Sequence, residues 1–385
     1  MLEHDISAYA AGLSARLAAR SRHMVTFLGA GSSRSCGLPD VQMLQSRVSD
    51  QLAGSQKAAF DKLAKNRNLE QVLSRIRRIA AVVDGDESIN GLKVDEARSL
   101  DIRLCELIVG ELGGDATDTA PVLKFGAWAS RADYSRPVEI FTVNYDLLIE
   151  RALEEWGTPY FDGFVGNLAG RFRSDLVEEP SDSTDGIPSH FVRLWKLHGS
   201  LNWAWQKHGA HSEVVRLGTA VSSGELAAIY PSDAKYEESR RVPFVVLQDR
   251  LRRSLNEPET LALVSGYSWA DEHLNEIFFE AATRRPRSEI IAFCFDSIPA
   301  QLADHATLTP NLQVVARKEA VLGGVRASWK KPDTTLPNDI WADGEATLGD
   351  FASLASYLAR ATSSVGDLGK QIAEMLIRST GTPIV

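Results

Sequence analysis

The sequence predicts an α/β fold, with a Rossmann-like, mostly parallel sheet, helices on both faces and an inserted helical subdomain. Short apolar runs rich in β-branched residues alternate with segments of helical spacing, which is typical of a parallel sheet. After the first run comes a long stretch with helical spacing only. The runs span residues 24–28, 138–143, 191–197, 260–264, 289–295 and 312–316.

The remaining elements are placed relative to these runs. Residues 42–130, approximately, form the predicted helical insertion, in which Asn68 is the candidate N-cap of a helix with one apolar face. After residue 318 the alternation weakens into a linker that contains proline, followed by a helix. We therefore expect one large domain over residues 1–318, which includes the insertion, and a helical C-terminal extension over residues 319–385.

Composition excludes several classes of protein. The chain of 385 residues is 44% hydrophobic, enough for a full core, and its net charge of −9 argues against direct binding of nucleic acid or of an anionic membrane. Cys36, Cys105 and Cys294 lie too far apart for a disulfide framework or a zinc ribbon, which fits a reducing compartment. No apolar run approaches the ~20 residues of a membrane span. We expect a cytoplasmic protein.

Small or polar residues follow four of the predicted strands. The clusters are Gly29-Ala30-Gly31-Ser32, Asn144-Tyr145-Asp146, His198-Gly199-Ser200 and Ser265-Gly266-Tyr267-Ser268. In an open α/β sheet, ligands bind outside the carboxyl ends of the strands. We therefore expect the four clusters to converge on one ligand site.

The first cluster predicts where a nucleotide binds. Glycines at a strand end let a ligand approach the backbone, and a helix that begins there directs its N–H groups at a pyrophosphate. The dinucleotide fingerprint is incomplete, because Arg34 stands where its third glycine belongs. A turn that binds no ligand is the alternative. The candidate contacts are Gly29, Ala30, Gly31, Ser32 and Ser33.

Three motifs, in this order, resemble the sirtuin superfamily. They are Gly29-Ala30-Gly31-Ser32 with Gly37-Leu38-Pro39-Asp40, then Thr142-Val143-Asn144-Tyr145-Asp146, then Lys196-Leu197-His198-Gly199-Ser200. The run Leu-His-Gly-Ser-Leu-Asn-Trp at 197–203 and the run Gly-Tyr-Ser-Trp-Ala-Asp-Glu-His at 266–273 look like a bacterial sirtuin-like branch that consumes NAD in antiphage defence. The resemblance spans residues 24–295, roughly.

The departures from the family narrow the expected reaction. Sirtuin deacylases carry a four-cysteine zinc module, which three scattered cysteines cannot build. They also have Phe-Arg where this chain has Val41-Gln42, and Gln-Asn where it has Val143-Asn144. These differences argue against protein deacylation. Members of the defence branch similarly lack the module, so the resemblance implies hydrolysis of NAD+ to nicotinamide and ADP-ribose, with no zinc. Because His208 and His211 lack further ligands at metal spacing, we expect no other metal site.

Two side chains are the candidate catalytic residues. Cleavage of the bond between ribose and nicotinamide builds oxocarbenium-like charge on the sugar, so the site needs an orienting polar group and a base. The amide of Asn144 can hold a ribose hydroxyl or the attacking water, and its alternative role is to cap the following helix. His198 is the candidate base, because histidine titrates near neutral pH, and its alternative is a structural histidine at a strand end.

The remaining candidates are contacts to NAD. By resemblance, Asp146 contacts the nicotinamide amide; its alternative is a carboxylate favoured by the dipole of the next helix. Gly266 and Ser268 suit the diphosphate and ribose, although Ser268 with Asp271 also has the spacing of a helix capping box.

Control of the activity is expected as well, because a constantly active NAD hydrolase would harm the cell. We expect gating by self-assembly into a homo-oligomer or by a partner, and the resemblance suggests a hexameric translocase-type ATPase. The alternative function is a noncatalytic module that senses NAD or ADP-ribose and controls the partner ATPase assembly. ADP-ribosyl transfer to protein is a rival reaction.

Overall fold

The computed structural model describes residues 2–83, 87–114, 116–179, 190–208, 211–221 and 242–362. The helices in these residues are α1 (Ile6–Ala18), α2 (Ala30–Arg34), α3 (Val41–Asp50), α4 (Gly54–Ala64), α5 (Leu69–Val82), α6 (Val94–Leu112), α7 (Ala120–Arg131), α8 (Leu148–Glu155), α9 (Ser174–Glu178), α10 (Phe244–Asn256), α11 (Glu272–Arg284), α12 (Ala300–Leu308) and α13 (Phe351–Thr362). The strands are β1 (Glu3–Asp5), β2 (His23–Leu28), β3 (Glu139–Thr142), β4 (Tyr160–Phe161), β5 (Phe164–Val165), β6 (Ala169–Phe172), β7 (Val192–Lys196), β8 (Trp203–His208), β9 (His211–Leu217), β10 (Thr260–Ser265), β11 (Glu289–Phe293), β12 (Leu312–Val315), β13 (Glu319–Leu322), β14 (Val325–Lys330), β15 (Trp341–Ala342) and β16 (Glu345–Ala346).

The central sheet has the order β1-β14-β13-β12-β11-β10-β2-β3-β7-β4. Its six strands from β12 to β7 are mutually parallel and are the six predicted from the sequence. Read from β7 to β12, they follow the doubly wound order 3-2-1-4-5-6. The order in which the chain adds strands to the sheet reverses between β2 and β10, and this place is called the reversal point below. The predicted Rossmann-like fold is therefore confirmed.

Both faces of the central strands are covered. In β2, Met24 and Leu28 pack into one core, whereas Val25 and Phe27 pack into a second core on the opposite face. Helices α1, α7, α8 and α13 contribute to the first core, and α10, α11 and α12 to the second. Successive strand residues point to opposite faces, so a strand covered on both sides must be apolar throughout. This is why the sequence runs are continuous rather than alternating.

Residues 319–362 differ from the predicted helical extension. Strands β13 and β14 pair antiparallel and widen the central sheet beyond β12, and β1 adds parallel to β14 at the edge. Helix α13 packs into the first core through Phe351 and Leu358. The sequence signal for β14 is weak because most of its side chains are exposed. Residues 363–385 lie outside the described residues.

Helices α3 to α6 pack around a core of their own, the third, which includes Phe60. Asn68 caps α5 as predicted: its side chain accepts from the Gln71 N–H at 2.9 Å, and the Gln71 side chain accepts from the Asn68 N–H at 3.2 Å. Helix α7 lies inside the predicted limits of 42–130 but packs into the first core through Trp128. That residues 42–130 form an inserted helical subdomain stays a prediction.

A second, antiparallel sheet with the order β5-β6-β9-β8 packs on the second core through Phe164, Trp203 and Val214.

Among the described helices, none combines the length and the apolar character that crossing a bilayer requires.

Candidate functional site

The four loops that carry the sequence motifs lie side by side at one edge of the central sheet. Strands β10, β2, β3 and β7 are consecutive parallel neighbours. Their carboxyl ends therefore share an edge, and the loops that follow them contain Gly266, Gly29, Asn144 and His198 in that order. The reversal point between β2 and β10 falls within this row, which is where open α/β sheets bind ligands.

The loops after β2 and β10 pack backbone to backbone. The Gly31 N–H donates to Gly266 O at 2.8 Å, and the Gly29 N–H donates to Ser265 O at 3.0 Å. Gly266 has a φ of +66°, and a Cβ added to it would lie 2.4 Å from the Ser32 nitrogen. These glycines therefore let the two backbones touch, a role that needs no ligand.

This contact reduces the number of N–H groups that helix α2 can direct at a pyrophosphate, and the pyrophosphate contact stays a prediction. The helix has five residues. Its Gly31 N–H is bound by Gly266, and its Ser32 N–H donates to Gly29 O at 3.0 Å. Two of its first amides are thus engaged within the protein, one by Gly266 from a loop distant in sequence and one by the nearby Gly29. Ala30, the first residue of α2, is half-buried.

Asn144 reaches back across the sheet edge to the glycine loop. Its Nδ2 donates to Gly29 O at 3.0 Å, to Ser32 Oγ at 3.0 Å and to Ser33 Oγ at 2.8 Å. Because a backbone carbonyl can only accept, the nitrogen end of the amide must face the glycine loop. The Oδ1 oxygen is then the acceptor end of this side chain.

Asp146 belongs to the same network and lies just before helix α8. Its Oδ2 accepts from Ser33 Oγ at 2.5 Å, and its Oδ1 accepts from the Leu148 N–H at 3.1 Å. The role at the helix terminus, which the sequence left open for Asp146, is present, whereas Asn144 does not cap α8. Asp146 is only 6% exposed, and its contact with nicotinamide stays a prediction.

Ser32 and Ser33 are buried, and their hydroxyls have partners within the protein. Ser32 Oγ donates to Gly29 O at 2.8 Å, Ser33 Oγ donates to Asp146, and both accept from Asn144. Each serine is 5% exposed. Their hydroxyls therefore position Asn144, and their direct contact with NAD stays a prediction.

Lys196, the last residue of β7, is part of the third motif, but the sequence analysis gave it no role in the site. Its Nζ pairs with Glu150 Oε1 at 2.9 Å and donates to the backbone oxygens of Asp146 and, at 3.3 Å, Tyr145. The ammonium group thereby fixes the loop that carries Asn144. A lysine inside an apolar run was the available signal, since buried lysines need partners.

His198 lies on the neighbouring loop, which is joined to the same backbone. Within that loop, Gly199 has a φ of +99°, and the Leu201 N–H donates to Tyr145 O at 2.9 Å. His198 Nε2 lies 3.6 Å from Asp271 Oδ2, and both side chains are 13% exposed. The loop of Asn144 is thus joined to the loop of His198, while the two side chains have different partners.

Asp271 also corrects the capping box suggested for Ser268. The N-cap of α11 is Asp271, whose Oδ1 accepts from the His273 N–H at 3.1 Å and the Leu274 N–H at 3.4 Å. Ser268 is exposed and precedes Trp269, which has a φ of +58°. Because that conformation is not helical, the helix begins after it.

The chemistry offered by these loops is that of an amide, an imidazole and carboxylates. Burial raises the pKa of Cys36 to about 12, of Cys105 to about 11 and of Cys294 to about 12, so these thiols are protonated at neutral pH.

The part of the chain that the structure describes has no group of three or more His, Cys, Asp or Glu side chains placed to hold a metal ion.

Residues 138–309 match the protein family described as "SIR2-like domain", and this range contains Asn144, His198 and Gly266. Among solved structures, a Sir2 homologue in complex with NAD is 14% identical, with 91% of this chain and 93% of that chain covered and a TM-score of 0.43. A mutant Sir2 homologue in complex with ADP-ribose is 15% identical, with 94% and 97% covered and a TM-score of 0.37. No curated protein matches this chain.

Proposed function

We propose that this protein is an NAD+ hydrolase that releases nicotinamide and ADP-ribose. The observation that carries the proposal is the placement of Asn144, whose amide nitrogen is held by Ser32 and Ser33 at the carboxyl edge of the sheet, next to its reversal point. The choice of NAD is supported by the sirtuin-like motifs and by the match of residues 138–309 to a SIR2-like domain.

The chemistry needs few groups. The bond between the ribose carbon and the nicotinamide nitrogen breaks, its electrons go to nicotinamide, and a water oxygen bonds to the same carbon. Asn144 Oδ1 accepts a hydrogen bond from the ribose hydroxyl or the attacking water, and His198 takes the proton that the water loses. Positioning matters most, because nicotinamide already leaves as a neutral molecule.

We assign NAD binding to the glycine loop of residues 29–33 and to Gly266 and Ser268. The serine hydroxyls of the glycine loop also support Asn144, and Asp146 supports both Ser33 and the start of α8. The contact of Asp146 with the nicotinamide amide is kept as part of the proposal, through the lone pairs that these two hydrogen bonds leave on its oxygens.

The test is release of nicotinamide from NAD by the purified chain, alone and with candidate activators. Asn144→Ala and His198→Ala should each lower turnover by about 10²–10⁴-fold. His4→Ala is the matched control, because His4 hydrogen-bonds Val325 O at the edge of the sheet and should leave turnover unchanged. Wild-type turnover in both site variants would reject the assignment.

The same assay separates the alternatives. Binding of NAD without nicotinamide release under every trigger would favour a noncatalytic sensor that controls a partner ATPase. Retention of labelled ADP-ribose on protein would favour ADP-ribosyl transfer. Release of both products in equal amounts is the result expected for hydrolysis.

The biological role is proposed from the resemblance. We propose an effector of antiphage defence in the cytoplasm that depletes NAD when triggered, works as a homo-oligomer and is gated by its assembly or by a hexameric translocase-type ATPase. Measurement of turnover against protein concentration, with and without such an ATPase, tests this control. Turnover per chain that stays constant over both variables would contradict it.

A further inference from the structure

The geometry points to Asp271 as the positioning residue for His198, a role that deepens the proposed function and rests on it. The His198 ring lies after β7, and Asp271 is the N-cap residue of α11, after β10. Asp271 Oδ2 lies 3.6 Å from Nε2 of the ring, somewhat longer than a hydrogen bond. Contacts between catalytic groups are often long before substrate binds and shorten in the complex, so this distance suits an orienting partner.

The contact spans the candidate site. Strands β7 and β10 are separated in the sheet by β3 and β2, which is three strand spacings or ~14 Å. The loops that carry His198 and Asp271 must therefore extend toward each other across the ends of β3 and β2. The residues that follow those two strands are the Asn144 loop and the glycine loop. The pair thus lies over the edge where the proposed substrate binds.

The two carboxylate oxygens of Asp271 face different partners. Oδ1 accepts from the His273 and Leu274 N–H groups and so fixes the rotamer of the side chain. Oδ2 is thereby directed at His198. A carboxylate fixed at one oxygen by a helix cap can orient an imidazole without losing further side-chain freedom.

The segment before Asp271 is held by its own hydrogen bonds. Asn275 is 1% exposed, and its Nδ2 donates to Trp269 O at 2.9 Å. The single hydrogen of the Tyr267 hydroxyl is shared between two acceptors, Asn275 Oδ1 at 2.9 Å and Asp271 O at 3.2 Å. One buried amide and one phenol therefore fix the loop, so the direction of the carboxylate is set before substrate arrives.

The chemical consequence is control of the imidazole tautomer. An acceptor beside Nε2 favours the neutral form that has its proton on Nε2 and its lone pair on Nδ1. Nδ1 is then the nitrogen that accepts the proton of the attacking water. Asp271 touches neither substrate nor water in this role, and it acts only through His198.

Asp271→Asn is the decisive variant, because asparagine also caps helices but can turn an N–H donor toward Nε2. That donor favours the opposite tautomer, so turnover should fall by about 10²-fold or more. Asp271→Ser, which also caps the helix but removes the carboxylate, should lower turnover as well. The matched control is Asp5→Asn, since Asp5 caps α1 through the N–H groups of Ser7 and Ala8 in the same pattern.

The second readout is the pair of His198 ring-nitrogen NMR shifts in protein labelled at histidine, assigned by the signals lost in His198→Gln. In Asp271→Asn the ring-nitrogen shifts should move toward those of the Nδ1–H tautomer, and in Asp5→Asn they should stay as in the wild type. Unchanged ring shifts together with unchanged turnover in both Asp271 variants would overturn the inference. A wild-type protein that never releases nicotinamide would instead refute the proposed function, and the ring shifts would still decide the role of Asp271.

Discussion

Asn144 is held by groups that belong to a different sequence motif. Its two amide protons face three acceptors on residues 29–33, so the nitrogen cannot turn away without losing several hydrogen bonds at once. The two serines that accept from it are nearly inaccessible to solvent. The orientation of the amide is therefore established before any ligand binds, which is the condition for efficient positioning.

Gly266 is the position where this packing is most sensitive to a single methyl group. Alanine there would put its Cβ 2.4 Å from the Ser32 nitrogen, at a φ of +66° that side chains rarely adopt. Gly266→Ala should therefore lower the free energy of unfolding by about 1–3 kcal/mol, measured by denaturant titration.

Gly12→Ala is the control for that measurement. Gly12 lies inside α1, and a Cβ added to it would have nothing within 4 Å. Alanine there should stabilise the protein by up to about 1 kcal/mol, because glycine disfavours a helix interior. A Gly266→Ala protein as stable as the wild type would contradict direct packing of the two loops.

At the scale of elements, the amino ends of the same strands are joined by a buried ionic network. Glu139, the first residue of β3, accepts from His23 at 2.9 Å, Trp195 at 2.7 Å, Ser254 at 3.0 Å, and Arg250 at 2.7 and 2.8 Å. Glu139 is 0% exposed. The network joins β2, β3 and β7 to helix α10, at the opposite edge of the sheet from the candidate site.

The charge of Glu139 links this network to pH. Burial raises its pKa, but the charge of Arg250 and hydrogen bonds from His23 and Arg250 outweigh burial and hold the pKa well below its ordinary value. A carboxyl whose pKa is depressed by folding stabilises the protein above its unfolded pKa of about 4.3. That stabilisation is lost as the pH falls through the folded pKa.

Glu139→Gln should lower the free energy of unfolding by about 3–5 kcal/mol at pH 7, because Arg250 loses its buried partner. The difference from the wild type should shrink as the pH falls from about 4.3 toward the depressed pKa of folded Glu139, since Glu139 of the unfolded wild type then binds a proton that the folded protein does not bind. Urea titrations over this pH range measure both effects.

Glu319→Gln is the control. The side chains of Glu319 and Arg326 are 31% and 50% exposed, so the free energy of unfolding should fall by less than about 1 kcal/mol. Equal losses in the two variants would contradict the account.

The elements differ in how well the sequence predicted them. Strands covered on both faces gave continuous apolar runs, and the cap at Asn68 followed from local spacing. By contrast, β14 has mostly exposed side chains, so no apolar run marked it.

The candidate site was predicted as a set of motifs, but the partners of Gly31, Lys196 and Asp271 come from other loops or helices. Local sequence patterns do not encode contacts between segments that are distant in sequence.

At the scale of the whole molecule, the helical layer of α3 to α6 contacts the candidate site. Leu201, on the loop of His198, is 1% exposed and packs into the third core. Tyr145, next to Asn144, packs against that core, and its hydroxyl donates to Glu70 Oε1 of α5 at 3.4 Å. Both catalytic candidates are therefore adjacent to residues anchored in the insertion, so movement of these helices would reach the two loops.

The central claim is that NAD binds over the four loops at the carboxyl edge of the sheet. The most direct measurement is amide hydrogen exchange of the His198→Ala protein with and without NAD, because this variant should bind the substrate without consuming it. We predict slower exchange in residues 29–34, 144–148, 198–201 and 266–272. Unchanged exchange in all four segments at saturating NAD, or protection confined to the helices of residues 42–112, would contradict the claim.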